Sequence, residues 1–188
     1  RQELEGELLE DVEGALWTYD LATRNRVDKP PELERIVVAV DPAATSYDSS
    51  NETGIIVAGK DKDGKGYVLA DRTLRGTPLE WARKAIAAYY EFEADAIVAE
   101  INQGGEMVTQ TLRTVDDVPR VKTVHGSRGK HIRAEPIVSL YEQDRIFHAG
   151  IFKELEDQMT SWVPGLTESP DRVDALVWAF TDLLEADR

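Results

Sequence analysis

The sequence predicts an α/β fold with a central mixed sheet of five strands, the first three antiparallel, flanked by helices. Three observations carry that expectation. Short β-branched runs fit for buried strands recur along the chain: RIVVAVD, TGIIVAG, GYVLADRTL, DAIVAEI and RVKTVHG. Stretches with apolar residues at helical spacing alternate with the later runs, giving the order β-β-β-α-β-α-β-α. At 188 residues and 41% hydrophobic content, the chain is long enough for one well-filled core and short for two.

Residues 1–34 are acidic and then punctuated by proline in VDKPPELE, with one helical stretch around LLEDVEGALW. They read as a linker or the tail of a preceding domain. A chain that opens on Arg1 without methionine is itself expected to be a piece of something longer. The core is expected to begin at Arg35 and run to the end, over 35–188. Its first three strands form a meander around the turn-rich KDKDGK. Thr77 as N-cap and Pro78 behind it open a helix, TPLEWARKAIAAYYEFE. DAIVAEI is the fourth strand, and NQGGEMVTQTLRTV turns through two glycines into a helix. RVKTVHG is the fifth strand. A helix over about 132–143, a short extended RIFHA, a helix IFKELEDQMTSW and a last helix from Pro170 to Ala186 complete the chain.

There are no cysteines, so neither disulfides nor thiolate metal ligation is available. No apolar run approaches the roughly 20 residues that cross a bilayer, and the chain reads as soluble with no membrane partner. The net charge of −14 argues at first against a polyanionic partner. Its distribution argues otherwise. Seven acids fall within residues 1–20 against Arg1 alone. From Val118 to Ala134, Arg120, Lys122, Arg128, Lys130, Arg133 and two histidines occur with no acid. A charge run is usually a solvated loop. Here Arg128, Lys130 and Arg133 lie just before and at a helix start, where cations oppose the dipole and an anionic partner explains them better.

GKDKDGKG, Gly59 to Gly66, nearly spells a phosphate-binding loop, but Gly66 replaces the required Ser or Thr, and it joins two strands. It is a hairpin turn, not a nucleotide site. The acids are more informative. Asp41 ends the first strand in VAVDPA, where an Asp commonly closes a strand by local hydrogen bonding. Glu100 ends the fourth in an otherwise apolar run, where an unpaired carboxylate costs several kcal/mol or changes ionisation. Asp171 and Asp174 open the last helix in SPDRVDALVWAF. An acid at a helix start is ordinary, which explains Asp171 better than Asp174.

If strands one and four are neighbours, Asp41 and Glu100 come to one sheet edge, and a helix packed across that edge adds a third or fourth carboxylate from Asp171 and Asp174. Converging carboxylates repel unless a cation binds between them, and oxygen ligands select a hard ion, Mg²⁺ or Mn²⁺. Two such ions about 4 Å apart would clamp a phosphodiester for in-line attack.

These residues, in this order, resemble the ribonuclease H-like nuclease fold. More narrowly, VAVDPA, AEINQGG, GKHIRAEPIVSLYEQDRIFHA and SPDRVDALVWA resemble the C-terminal nuclease domain of bacteriophage terminase large subunits, over about residues 35–186. The resemblance implies a metal-dependent endonuclease, with two-metal hydrolysis, that cuts concatemeric viral DNA during head filling in the host cytoplasm. It also implies an N-terminal packaging ATPase in the same polypeptide, with a portal and a small terminase subunit as partners. By position, Asp41, Glu100 and Asp171 would be catalytic metal ligands. Pro170 stands where many relatives have a paired acid, which leaves open whether Asp174 also coordinates. Lys122, Arg128, Lys130 and Arg133 would contact double-stranded DNA. Asp48 is a candidate auxiliary acid, and His125 and His131 candidate assistants. Competing readings are a junction resolvase, ribonuclease or transposase with the same acidic set, and a non-catalytic adaptor on the same fold.

Overall fold

A computed structural model of the chain describes residues 2–4, 7–9, 11–42, 52–101, 106–126 and 129–185. Strands β1 (Gln2–Leu4) and β2 (Glu7–Leu9) form a small antiparallel pair. The main sheet is built around β4 (Arg35–Asp41), with β5 (Glu52–Lys60) antiparallel on one side and β8 (Ala96–Ile101) parallel on the other. β6 (Gly66–Asp71) continues the antiparallel meander beyond β5, and β9 (Val121–His125) lies parallel beyond β8. The expected neighbourhood of the first and fourth predicted strands is therefore present.

Among the described residues the sheet has eight strands instead of five. β10 (Ile146–Ala149), the short extended RIFHA, pairs with β6 and carries β3 (Arg26–Val27) on its far side. β7 (Leu74–Arg75) pairs with β5. Two-residue strands have no periodicity to read; only their partners define them.

β4 is buried on both faces because helices cover both. Val38 and Val40 join Ile55, Val57, Ile97 and Ala99 beneath α2 (Pro78–Glu91) and α3 (Glu106–Val115). Val37 and Ala39 join the opposite core, packed by α4 (Lys130–Glu142), α5 (Lys153–Ser161) and α6 (Asp171–Phe180). The period of two in strand side chains thus feeds two apolar layers from one run. α2 starts with a reciprocal cap: Thr77 accepts from the Glu80 amide while Glu80 accepts from the Thr77 amide. Gly59 to Gly66 is a hairpin connection, closed by Asp61 accepting from the amides of Asp63 and Lys65 and from the Tyr67 hydroxyl. Among the described residues, no helix is long and apolar enough to cross a membrane.

Two expectations need correction. The core does not begin at Arg35: Trp17 is fully buried against Tyr141, with ring centroids 5.7 Å apart, and α1 (Tyr19–Thr23) and β3 pack on the same body. An acid-rich, proline-punctuated composition hides this because Trp17's pocket is made by residues over a hundred positions away. Pro170 occupies the N-cap position and not the first helical one, so α6 opens on Asp171 without a side-chain cap.

Candidate metal centre

Asp41 is the last residue of β4. Val40 pairs with Ala99 in the parallel β4–β8 ladder, so the next step sets Asp41 level with Glu100. Parallel strands deliver both carboxylates to one edge of the sheet. α6 packs across β4 and β5 and opens at that edge, bringing Asp171 and, one turn on, Asp174.

One carboxylate oxygen from each of Asp41, Asp171 and Asp174 lies within 4.8 Å of the others. Asp41 and Asp174 are buried and Asp171 partly so. Among the described residues, Asp41 Oδ2 is buried with no hydrogen-bond partner. Asp174, which the sequence left open, is thus inside the tight cluster. Glu100, level with Asp41 on the neighbouring strand, stands beside it. Glu100 Oε1 accepts from Trp178 Nε1 at 2.8 Å and from Arg133 Nη2 at 3.2 Å. The Arg133 guanidinium lies over the Trp178 ring, 4.8 Å from its centroid. Asp174 Oδ2 accepts from Lys130 Nζ at 2.6 Å and from Ser169 Oγ at 3.0 Å. Trp178 and Ser169 were not legible as site residues, since an apolar helix face and a helix start account for both locally.

Burial, then the charge of Asp174, then the contact with Glu100 hold Asp41's pKa well above the ordinary carboxylate value. Burial and Asp174 push Asp171 up to about 6. Burial also raises Asp174, although Lys130 opposes it. For Glu100, burial raises the pKa but is outweighed by the hydrogen bonds from Asp41 and Trp178 and the charges of Lys130 and Arg133, so the net shift is downward. Four carboxylates thus crowd one corner with two cations, Lys130 and Arg133, facing them.

A cleft of about 330 Å³ opens on this corner, lined by Asp41, Glu100, Asp171, His125, Lys130 and Arg133. A second cavity, about 450 Å³, shares Lys130 and Asp171 with it and adds His131, Trp162, Thr167 and Ser169. Of the cations expected to meet DNA, Lys130 and Arg133 stand in the cleft, each paired to an acid. Lys122 does not line it. Its Nζ bonds Asp182 at 2.7 Å, and Asp182 also takes Arg35 at 3.2 Å. Arg128 and Asp48 lie outside the described residues.

The donor set fits a hard divalent cation: three clustered carboxylates and an orphaned buried oxygen, with no nitrogen or sulfur ligand among them. A cation there would supply the positive charge that Asp41 Oδ2 lacks.

Residues 38–183 match the family model described as the terminase RNaseH-like domain. Among solved structures, the nuclease domain of the large terminase subunit gp2 of bacterial virus Sf6 is 14% identical, with TM-score 0.61, covering 87% of this chain and 96% of that one. The large terminase nuclease from thermophilic phage G20c with bound magnesium is 14% identical, with TM-score 0.62, covering 82% and 84%. A large terminase from another thermophilic bacteriophage, in complex with ATP-gamma-S, is 13% identical with TM-score 0.68; the match covers 91% of this chain but only 46% of that one. No curated protein sequence matches. With the ribonuclease H-like sheet, the edge cluster of carboxylates and a family match spanning most of its length, the chain belongs to the terminase RNaseH-like domain family.

Proposed function

We propose that this domain is a divalent-metal-dependent DNA endonuclease that cuts concatemeric viral DNA as a genome is packaged in the host cytoplasm. In the full protein it would be joined to an N-terminal packaging ATPase and work with a portal and a small terminase subunit. The observation that carries the reading is the gathering of one carboxylate oxygen from each of Asp41, Asp171 and Asp174 within 4.8 Å of one another, with Asp41 Oδ2 buried and without a donor among the described residues. Family membership gives the polymer-cleaving context, and the large terminase in complex with ATP-gamma-S, of which this chain spans under half, gives the ATPase context.

Asp41, Asp171 and Asp174 would hold Mg²⁺ or Mn²⁺, with Glu100 completing a two-ion arrangement from the β8 side. When bound, two such ions supply an activated water and a stabilised leaving oxygen for phosphodiester hydrolysis. The chain's own residues prepare that chemistry. Burial and the neighbouring carboxylates raise Asp41's pKa, so a cation bound there would favour its ionised form as a ligand. Trp178 and Arg133 fix the Glu100 carboxylate in one orientation. Lys130, where the two cavities meet, is placed to leave Asp174 for a phosphate oxygen of the entering strand. Contacts of that kind position DNA without reading bases, which suits an enzyme that must cut many sequences.

The test is nicking of supercoiled plasmid with Mn²⁺ or Mg²⁺ by the wild type and by Asp41→Asn, Glu100→Gln and Asp171→Asn. Nicking by the wild type that falls at least about 100-fold in each variant is expected. Equal nicking by all four proteins would reject the assigned site.

A further inference from the structure

We propose that Gly54 and Arg172 are positioning residues that set the spacing of the carboxylate cluster; this role rests on the reading of the cluster as a metal centre. Gly54 lies on β5 directly opposite Asp41 in the β4–β5 ladder. The space a side chain would fill there is taken by the backbone at the start of α6. A Cβ on Gly54 would fall on the Asp171 carbonyl oxygen, 2.6 Å from the carbonyl carbon and 3.1 Å from the Arg172 amide nitrogen. These are backbone atoms, so no change of rotamer relieves the clash. Asp171 therefore rests on the strand position facing Asp41, and the short separation of their carboxylates follows from having no side chain between.

Arg172 holds the same turn from the other side. Its Nη1 donates to Glu52 Oε2 at 2.7 Å on β5, and its Nε to Asp71 Oδ2 at 2.8 Å on β6. The guanidinium side chain is 13% exposed, so the fork is largely shielded from solvent. α6 has Pro170 at its N-cap and no side-chain cap. Docking by Gly54 and Arg172 is what fixes where the helix begins, hence where Asp171 and Asp174 point. Any side chain at position 54 would force the helix start back by about 1 Å, against a tolerance of roughly 0.2 Å for metal–ligand distances.

The test is Mn²⁺ binding to the full chain by calorimetry, with Gly54→Ala, Arg172→Lys and, as a matched control, Gly66→Ala. Gly66 also has no room for a Cβ, which would sit 2.5 Å from the Phe180 ring, at the opposite end of α6. Gly54→Ala is expected to lose at least about tenfold in Mn²⁺ affinity, and Arg172→Lys about as much. Gly66→Ala should melt earlier yet bind within about twofold of wild type. A general loss of packing would affect both glycine variants alike. Wild-type affinity in Gly54→Ala overturns the proposal. Should that variant fail to fold, undiminished affinity in Arg172→Lys overturns it equally. If the wild type itself binds no Mn²⁺, the metal reading falls, and a crystal structure of Gly54→Ala decides the positioning role. Carboxylates of Asp41 and Asp171 that separate beyond the 4.8 Å span support it, and unmoved ones reject it.

Discussion

Two clusters of buried polar side chains are built in opposite ways. In the first, Arg26 grips both oxygens of Glu156, at 2.9 and 3.0 Å, and Glu156 Oε2 also meets His148 Nδ1 at 2.7 Å. The other ring nitrogen of His148 meets the Tyr141 hydroxyl at 2.8 Å. One carboxylate faces one guanidinium, and burial depresses the His148 pKa although Glu156 opposes it. A carboxylate only accepts, so His148 Nδ1 donates to Glu156, and the other ring nitrogen meets the Tyr141 hydroxyl. In the second cluster, among the described residues, the cations that face Asp41, Glu100, Asp171 and Asp174 are Lys130 and Arg133, and one buried oxygen has no donor. The satisfied network ties β3, β10, α4 and α5 together. The unsatisfied one stores electrostatic repulsion at a cleft, an arrangement that a bound cation relieves.

The contrast breaks most sharply at Glu156. Glu156→Ala strands Arg26 and His148 without their acceptor, and a stability loss of about 3–5 kcal/mol in denaturant unfolding is expected. A loss below about 1 kcal/mol would mean that the network is only a surface-like pair. Asp41→Asn is expected to do the reverse. Removing one of the crowded carboxylates should leave the metal-free protein as stable as wild type, or more stable by about 1 kcal/mol, while Mn²⁺ affinity drops. Destabilisation comparable to Glu156→Ala would show that Asp41 serves the fold.

The smallest effect is the pH dependence, and the two clusters give it opposite signs. Asp171 has its folded pKa raised to about 6 from an ordinary 3.8. Its stabilising contribution is complete below the ordinary value and is lost as pH rises through about 6. His148 has its folded pKa lowered from 6.5, so its contribution is complete above that value and is lost as pH falls below it. In metal-free protein, Asp171→Asn should reduce the stability lost as pH rises from 3.8 through about 6, and leave the loss that His148 causes on acidification below 6.5 unchanged. Mn²⁺ should reduce the Asp171 loss in wild type. An unaltered profile in Asp171→Asn would show that the carboxylates are not in conflict.

The parts of this arrangement legible in the sequence are those with local causes. β-branched runs announce β4, β5 and β8, and an acid ending an otherwise apolar run singles out Glu100, whereas Asp41, at a strand end where Asp is ordinary, gains meaning only beside it. Asp171 and Asp174 stand out because they open an otherwise apolar helix. Illegible features depend on partners distant in the chain. Trp17 looks like part of an acidic linker until Tyr141 covers it. Lys122 looks like a member of a basic stripe until Asp182, sixty residues on, accepts its charge. Gly54 reads as one more residue in a strand, since nothing nearby in the sequence tells of a helix start pressed against it. β3 and β7 are too short to show a period and exist only through β10 and β5.

Crystals soaked in manganese and measured at its absorption edge test most directly whether the carboxylates are gathered for a cation. An anomalous peak coordinated by Asp41 and Asp171, with Asp174 or Glu100 as a further ligand, is the expected result. A fully soaked crystal with no peak among these side chains, or with its only peaks elsewhere on the acidic surface, would contradict it.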